Sequence, residues 1–254
     1  MRTKPRTSQA LVRVEGLAMG FGEVVVQKDL TFEVHRGRIF GIVGPSGCGK
    51  STLLRHLIGL NRPMAGRVYF EDEDFWALDE HERSRLLQDI GVLFQSAALW
   101  SSMTVAENIA LPLELYTELA PAQIADQVAF KLALVGLAGA SEAYPAALSG
   151  GMRKRAGLAR ALALDPPVLF LDEPSAGLDP LSVRRLDELI LRLRDALGVT
   201  VVLVTHELES LFAIADECLY LDPESRTAIG LDAPRALQRH SEYAQVREFL
   251  STRV

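Results

Sequence analysis

The 254-residue sequence predicts an α/β fold: a mostly parallel sheet covered by helices on both faces, an antiparallel β region before it, and an inserted set of helices. Three observations predict it. Fully apolar runs of strand length, PVLFLDE at 167–173 and GVTVVLVTHE at 198–207, flank a helical pattern at 182–198, and continuous apolar strands alternating with helices belong to parallel sheets buried on both faces. The apolar segment RIFGIVG (38–44) runs into a Gly-rich turn and then the helical pattern SGCGKSTLLRHLIGL (46–60). Between Phe75 and Gly139 the composition shifts to Leu, Ala, Glu and Gln, and stretches such as 77–90 and 121–137 carry helical apolar spacing.

In chain order, residues 11–19, 23–27, 30–35 and 38–44 read as short β segments separated by Gly and charged turns such as His35-Arg36-Gly37. The core is expected over 10–95 and 166–232, the helical subdomain over 96–165 and a helical, polar tail over 233–254, all within one domain spanning 10–250. Twenty-seven Lys and Arg against 33 Asp and Glu give a net charge of −6, without the basic excess that marks nucleic acid as the main partner. The longest charge-free stretch that resembles a membrane span, Ile90–Ala106, carries Gln95, Thr104 and three serines, too polar for a spanning helix. The basic N-terminus, MRTKPRTSQALVR, has no apolar segment behind it and does not read as a secretory signal. Cys48 and Cys218 lie far apart without metal-ligand spacing, which suits a reducing compartment.

Gly44-Pro45-Ser46-Gly47-Cys48-Gly49-Lys50-Ser51 satisfies the phosphate-loop pattern in the context that its chemistry needs, after a strand and at a helix start. The glycines let backbone N–H groups turn toward phosphates, the helix N-terminus adds a positive dipole end, and Lys50 adds a cation. Ser51 is expected to hold Mg²⁺ and Thr52 to reach the α-phosphate. Val168–Glu173 ends an apolar strand on two adjacent carboxylates, a Walker B arrangement in which Asp172 would orient the metal shell and Glu173 polarise the attacking water.

Leu148-Ser149-Gly150-Gly151-Met152, opening the pattern RKRAGLARALALDP, resembles the signature motif of ABC-type ATPases. The resemblance covers nearly the whole chain, because the other family elements occur in order: Phe21 at the adenine-stacking position, Gln95 as the Q-loop, Ser175–Asp179 as the D-loop and His206 as the switch histidine. It implies a P-loop NTPase with a RecA-like core, ATP and Mg²⁺ as ligands, and Glu173, His206 and Gln95 as catalytic residues. Ser51, Gln95 and Asp172 would serve the metal, and Phe21, residues 44–52, Ser149, Gly150, Gly151 and Asp179 the nucleotide. It also implies a head-to-tail homodimer in which Ser149 and Gly151 of one chain close over the γ-phosphate held by Lys50 of the other. Phe21 in place of the usual Tyr keeps the stacking face, so loose nucleotide choice is expected.

At Cys48 two readings compete: a buried, inert side chain, or a thiol activated by the helix N-terminus, whose labelling would stop turnover. The basic residues Arg153, Lys154, Arg155 and Arg160 read mostly as a solvated helix face, although cations in a first helical turn also suggest an anionic neighbour. Ser149 follows Lys50 by 99 positions, enough for a helical subdomain and far too few for the coiled coil of a DNA-repair ATPase, and one cassette argues against a tandem translation factor. With no membrane span, a transporter reading requires a separate permease dimer, docked on the insertion at 96–115, with Trp100 and Met103 as contact candidates. Met152 where importers usually carry Gln makes the chain similar to the MlaF-type ATPases of Mce-associated phospholipid transporters, with importers of amino acids or metal ions as the alternative. That likeness implies an MCE lipid-binding subunit, a small STAS-domain protein, the cytoplasmic face of the inner membrane, and a tail, residues 242–254, that reaches the neighbouring protomer.

Overall fold

The computed structural model describes residues 10–252; Met1–Gln9, with most of the basic N-terminal stretch, and Arg253 and Val254 of the tail lie outside the described residues. Strands β1 (Ala10–Phe21) and β2 (Val24–His35) form a long antiparallel pair. The two segments expected at 23–27 and 30–35 are one strand. Asp29 takes a φ of 55°, and pairing steps from Met19–Gln27 to Leu17–Leu30, so a bulge bends the strand without ending it.

β3 (Ile39–Val43) leads through the phosphate loop into α1 (Lys50–Leu57), followed by β4 (Ala65–Phe70) and the short β5 (Glu73–Asp74). β2, β1, β4 and β5 make a four-stranded antiparallel sheet in that order. α2 (Glu80–Gln88) begins at a capping box in which Asp79 accepts from the Glu82 N–H and Glu82 from the Asp79 N–H. β6 (Ile90–Leu93) then returns to the core.

α3 (Val105–Tyr116), capped by Thr104 with Glu107, α4 (Pro121–Leu134) and α5 (Gly150–Ala161) form the insertion. The core resumes with β7 (Val168–Asp172), α6 (Pro180–Leu197), β8 (Thr200–Val204), α7 (Leu208–Ile214), β9 (Glu217–Asp222) and β10 (Thr227–Asp232), and ends with α8 (Pro234–His240) and α9 (Ala244–Ser251).

The second sheet has the order β10-β9-β3-β8-β7-β6, parallel except for the edge hairpin β9–β10. Alternate residues of one strand serve two cores. Leu169, Leu171, Val201 and Leu203 pack with the insertion and α6, while Val168, Phe170, Val202 and Val204 pack with α1 and the antiparallel sheet. Burial on both faces is why these strands read as unbroken apolar runs. The C-terminal ends of β3, β7 and β8 therefore meet at one edge, where ligands of such sheets bind.

Candidate functional site

At that edge the phosphate loop leaves β3 with Gly44 at φ 144° and enters α1 from Gly49 at φ 102°. A Cβ at Gly49 would lie 2.7 Å from Val26 Cγ1, and one at Gly44 would lie 2.5 Å from the Leu221 carbonyl oxygen, so the loop is pressed against β2 and β9. Lys50 Nζ donates to the carbonyls of Gly44 (2.9 Å) and Pro45 (3.1 Å), which lays the ammonium along the loop. α1 has neither a side-chain cap nor an acidic residue in its first turn, which leaves its N-terminal N–H groups for an anion. Ser46 and Gly47 are exposed, Pro45, Ser51 and Thr52 half-buried.

Gln27, which the sequence reading did not single out, is fully buried and bridges the Cys48 carbonyl (2.8 Å) and the Asp222 carbonyl (3.0 Å). Its signal was one amide closing the apolar run VVVQ. Cys48 itself is 1% exposed, and burial pushes its thiol up against the pull of Lys50. The reading of Cys48 as a reactive thiol is thus corrected: desolvation outweighs Lys50 and the backbone N–H groups, and the side chain belongs to a buried cluster that includes Met19, Leu30 and Leu221, distant in the chain.

Ser51 Oγ donates to Asp172 Oδ1 at 3.0 Å, joining the loop to the end of β7. Mg²⁺ is six-coordinate at about 2.1 Å, so neighbouring ligand oxygens sit about 3 Å apart, and it takes one or two protein oxygens with waters and phosphates completing the shell. The Ser51–Asp172 spacing fits that shell.

Glu173 has a φ of 48°, a left-handed conformation that costs a non-glycine residue about 1–2 kcal/mol. Its N–H donates to the Val204 carbonyl at 2.9 Å, and its Oε2 lies 2.7 Å from His206 Nδ1. The carboxylate is almost buried while the imidazole is 53% exposed, its Nε2 lying 3.6 Å from Glu207 Oε1.

The exposed Gln95 follows β6 in a turn. Its carbonyl, and that of Glu173, both accept from Lys154 Nζ, at 2.5 and 2.9 Å. Lys154 is 5% exposed, and burial pulls its ammonium below the ordinary lysine value while Glu173 and Asp172 oppose that shift. The solvated-face reading of the basic cluster is corrected for the buried Lys154 and the half-buried Arg155 and Arg160, while Arg153 stays exposed; all four cations tie backbone carbonyls. Arg153 holds Leu148, Arg155 holds Val135 and Gly136, and Arg160 holds Ala97 and Ala98. Ala97 and Ala98 are consecutive left-handed residues, at φ 63° and 49°.

Ser149 caps α5 by accepting from the Met152 N–H at 3.2 Å, with Gly150 and Gly151 in the first turn. Among the described residues no hydrogen bond joins this end of α5 to the phosphate loop of its own chain. Asp179, expected with the nucleotide, instead caps α6, accepting from the N–H groups of Leu181 and Ser182 and from Ser182 Oγ. These bonds hold its carboxyl below the usual range, and the structure does not bring it to its own phosphate loop. Phe21 ends β1 at 56% exposure, an aromatic face free to stack.

The structure thus brings Lys50, Ser51, Asp172, Glu173 and His206 to one sheet edge and leaves Ser149–Gly151 and Asp179 outside it. A loop that turns amides and a lysine toward a phosphate chain, beside a carboxylate set to polarise water, makes the molecule a P-loop nucleoside triphosphatase. Comparison with known proteins narrows the class.

A family model described as ABC transporter matches residues 27–176. The intermembrane phospholipid transport system ATP-binding protein MlaF of Haemophilus influenzae is 40% identical over 82% of this chain and 79% of its own. The probable ribonucleotide transport ATP-binding protein mkl of Mycobacterium leprae is 38% identical over 95% and 69%. The methionine import ATP-binding protein MetN of Cupriavidus metallidurans is 41% identical over 84% of this chain and 62% of the longer relative.

Among solved structures, cbiO1 of Clostridium perfringens, part of the cbiONQ transporter complex, superposes with a TM-score of 0.83 at 26% identity, covering 92% of this chain and 93% of that one. A dimeric ATP-binding cassette in a post-hydrolysis state with ADP and Pi gives 0.79 at 28% identity, covering 87% and 98%. The chain belongs to the ABC transporter family, as an ATP-binding, ATP-hydrolysing subunit.

Proposed function

We propose that this subunit drives phospholipid transport between membranes, working as a head-to-tail dimer bound to a membrane permease. Two features support the phospholipid reading: Met152 in the signature and the 40% identity to the phospholipid transport protein MlaF. The separation of Ser149 from its own phosphate loop carries the dimer, since a capped helix N-terminus built for an anion then needs the nucleotide of a second copy.

In this reading Lys50 and the amides of residues 47–52 hold the phosphates, and Phe21 stacks on the base. Ser51 and Asp172, with Gln95, hold Mg²⁺, which when bound neutralises charge on the transferred phosphoryl group. Glu173 accepts the proton of the attacking water, while His206, 2.7 Å away, orients the carboxylate and faces the phosphate. Ser149 and Gly151 of the second chain close the site and exclude bulk water. No helix of the described residues is long and apolar enough to cross a membrane, so the chain would sit on the inner membrane's cytoplasmic face through its permease.

A 270 Å³ groove lined by Leu87, Ile90, Pro112, Tyr116, Arg160 and Leu164 is the proposed permease dock. Exposed Trp100, Leu115 and Tyr116 belong to the same insertion, whereas Met103 is half-buried. An MCE subunit and a STAS-domain protein complete the proposed assembly.

The alternative is a methionine importer, favoured by the 41% identity to MetN. Proteoliposomes holding the membrane complex purified with this chain decide between them. ATP-dependent movement of a fluorescent phospholipid, absent with E173Q, supports the proposal. ATP-dependent uptake of labelled methionine without lipid movement would install the importer reading instead.

A further inference from the structure

Most of the catalytic edge is held by its own strands, but one contact comes from the helix that points away from it. Lys154 lies on α5 two residues beyond Met152, and its ammonium reaches back to the carbonyls of Gln95 (2.5 Å) and Glu173 (2.9 Å). Glu173 is left-handed at φ 48°, and from this one residue the carbonyl meets Lys154 on α5 while the carboxylate meets His206. Among the described residues no carboxylate oxygen lies within 4 Å of the Lys154 ammonium, so its direct ligands are neutral and it sits at 5% exposure. A buried cation held by backbone dipoles is sensitive to small displacements, because a moved carbonyl leaves it unsatisfied.

We propose that Lys154 is a positioning residue that fixes Glu173 and the Q-loop backbone to α5, so that the signature helix and the hydrolytic carboxylate of the same chain move together. This rests on the dimer reading above. α5 presents Ser149 to the partner's nucleotide, and Lys154 on that helix sets the carboxylate that serves the chain's own nucleotide. Closure over one ATP then aligns the base for the other, and the two sites are coupled through one ammonium in each chain. A lysine performs this because three N–H donors on a flexible stem can satisfy two carbonyls at once and still keep charge near Asp172 and Glu173.

The test uses the full-length chain, with turnover, equilibrium ATP affinity and thermal midpoint measured for K154M, K154R, K154Q and E173Q. K154M is expected to lower kcat about tenfold or more while KM and ATP affinity change by less than about threefold, the pattern of an interaction that matters only in the transition state. K154R, keeping the cation, is expected to recover turnover to within about threefold of the parent. K154Q keeps a donor at shorter reach and is expected to fall with K154M, so the outcome does not depend on one variant folding. K154M and K154Q turning over within about twofold of the parent, or a K154R as slow as K154M, or affinity falling in step with kcat, would overturn the assignment. Parent-like turnover by E173Q would instead remove the hydrolytic role given to Glu173, whereas a slow E173Q beside a fast K154M overturns the role of Lys154 alone.

Discussion

Nδ1 of His206 lies 2.7 Å from Oε2 of Glu173, and the backbone N–H of His206 donates to that same oxygen at 3.3 Å. Two bonds from one residue leave Oε1 of Glu173 as the free acceptor for a water proton. Glu173→Gln should therefore bind ATP and lower turnover by about 10²–10⁴, the usual loss on removing a positioned base. His206→Ala keeps the backbone bond and should lose turnover with ATP affinity unchanged. Single-turnover hydrolysis and equilibrium binding measure both; a Glu173→Gln chain that clears ATP at the parent rate would contradict the arrangement.

Gly49 occupies a left-handed position where a methyl group would meet Val26 and Met19. Gly49→Ala should lower stability by about 1–3 kcal/mol and displace the loop amides, so that ATP affinity falls more than the thermal midpoint suggests. Calorimetry and nucleotide titration of the same preparation report the two effects. An alanine variant with parent-like affinity would show that the loop has room that the backbone does not indicate.

Cys48 and Cys218 are both buried with raised thiol pKa values, that of Cys218 pushed up to about 12. Native chains should resist bulky maleimides with or without ATP, and unfolded chains should label at both positions. Because the folded pKa of Cys218 exceeds its unfolded value, its stabilising contribution is present below about pH 9 and is lost as pH rises toward 12. Unfolding midpoints measured from pH 8 to 11 should fall more steeply for the parent than for Cys218→Ala, after allowance for the smaller core of the variant.

Asp187 on α6 accepts from Ser210 Oγ on α7 at 2.8 Å, and burial raises its carboxyl to about 6. A raised carboxyl contributes stability below its unfolded pKa near 4, and that contribution is lost as pH rises through 6. At pH 7 the charged form is thus a burden, and Asp187→Asn, which can still accept from Ser210, should gain about 1 kcal/mol once solvent screening is allowed for. Denaturant midpoints at pH 4 and pH 7 check it: the gain should vanish at the lower pH.

The phosphate loop, the Walker B strand and the signature were legible because each joins a local backbone demand to a fixed chemistry. Gly49 needs a positive φ, β7 needs apolar residues on both faces, and Ser149 needs to be a cap. Other elements were not legible, for reasons equally physical. β6 has four residues, too few for a period, and lies inside a helical stretch where only its pairing with β7 makes it a strand. β2 was read as two segments because the bulge at Asp29 breaks the apolar alternation. Lys154 looked like solvent-facing charge, since nothing in a row of arginines and lysines says which one a tertiary fold will bury. At Cys48 the motif set the position, but burial by residues distant in the chain set the reactivity.

The paired left-handed alanines after the Q-loop, Ala97 and Ala98, lie where the chain passes from the sheet to the insertion, and the guanidinium of Arg160 grips both of their carbonyls. Such a joint behaves like a cocked latch. Left-handed alanines cost about 1–2 kcal/mol each, so the resting form depends on this clasp from the insertion more than on local preference. Because the same arginine lines the groove proposed as the permease dock, a partner seated there would bear directly on this clasp.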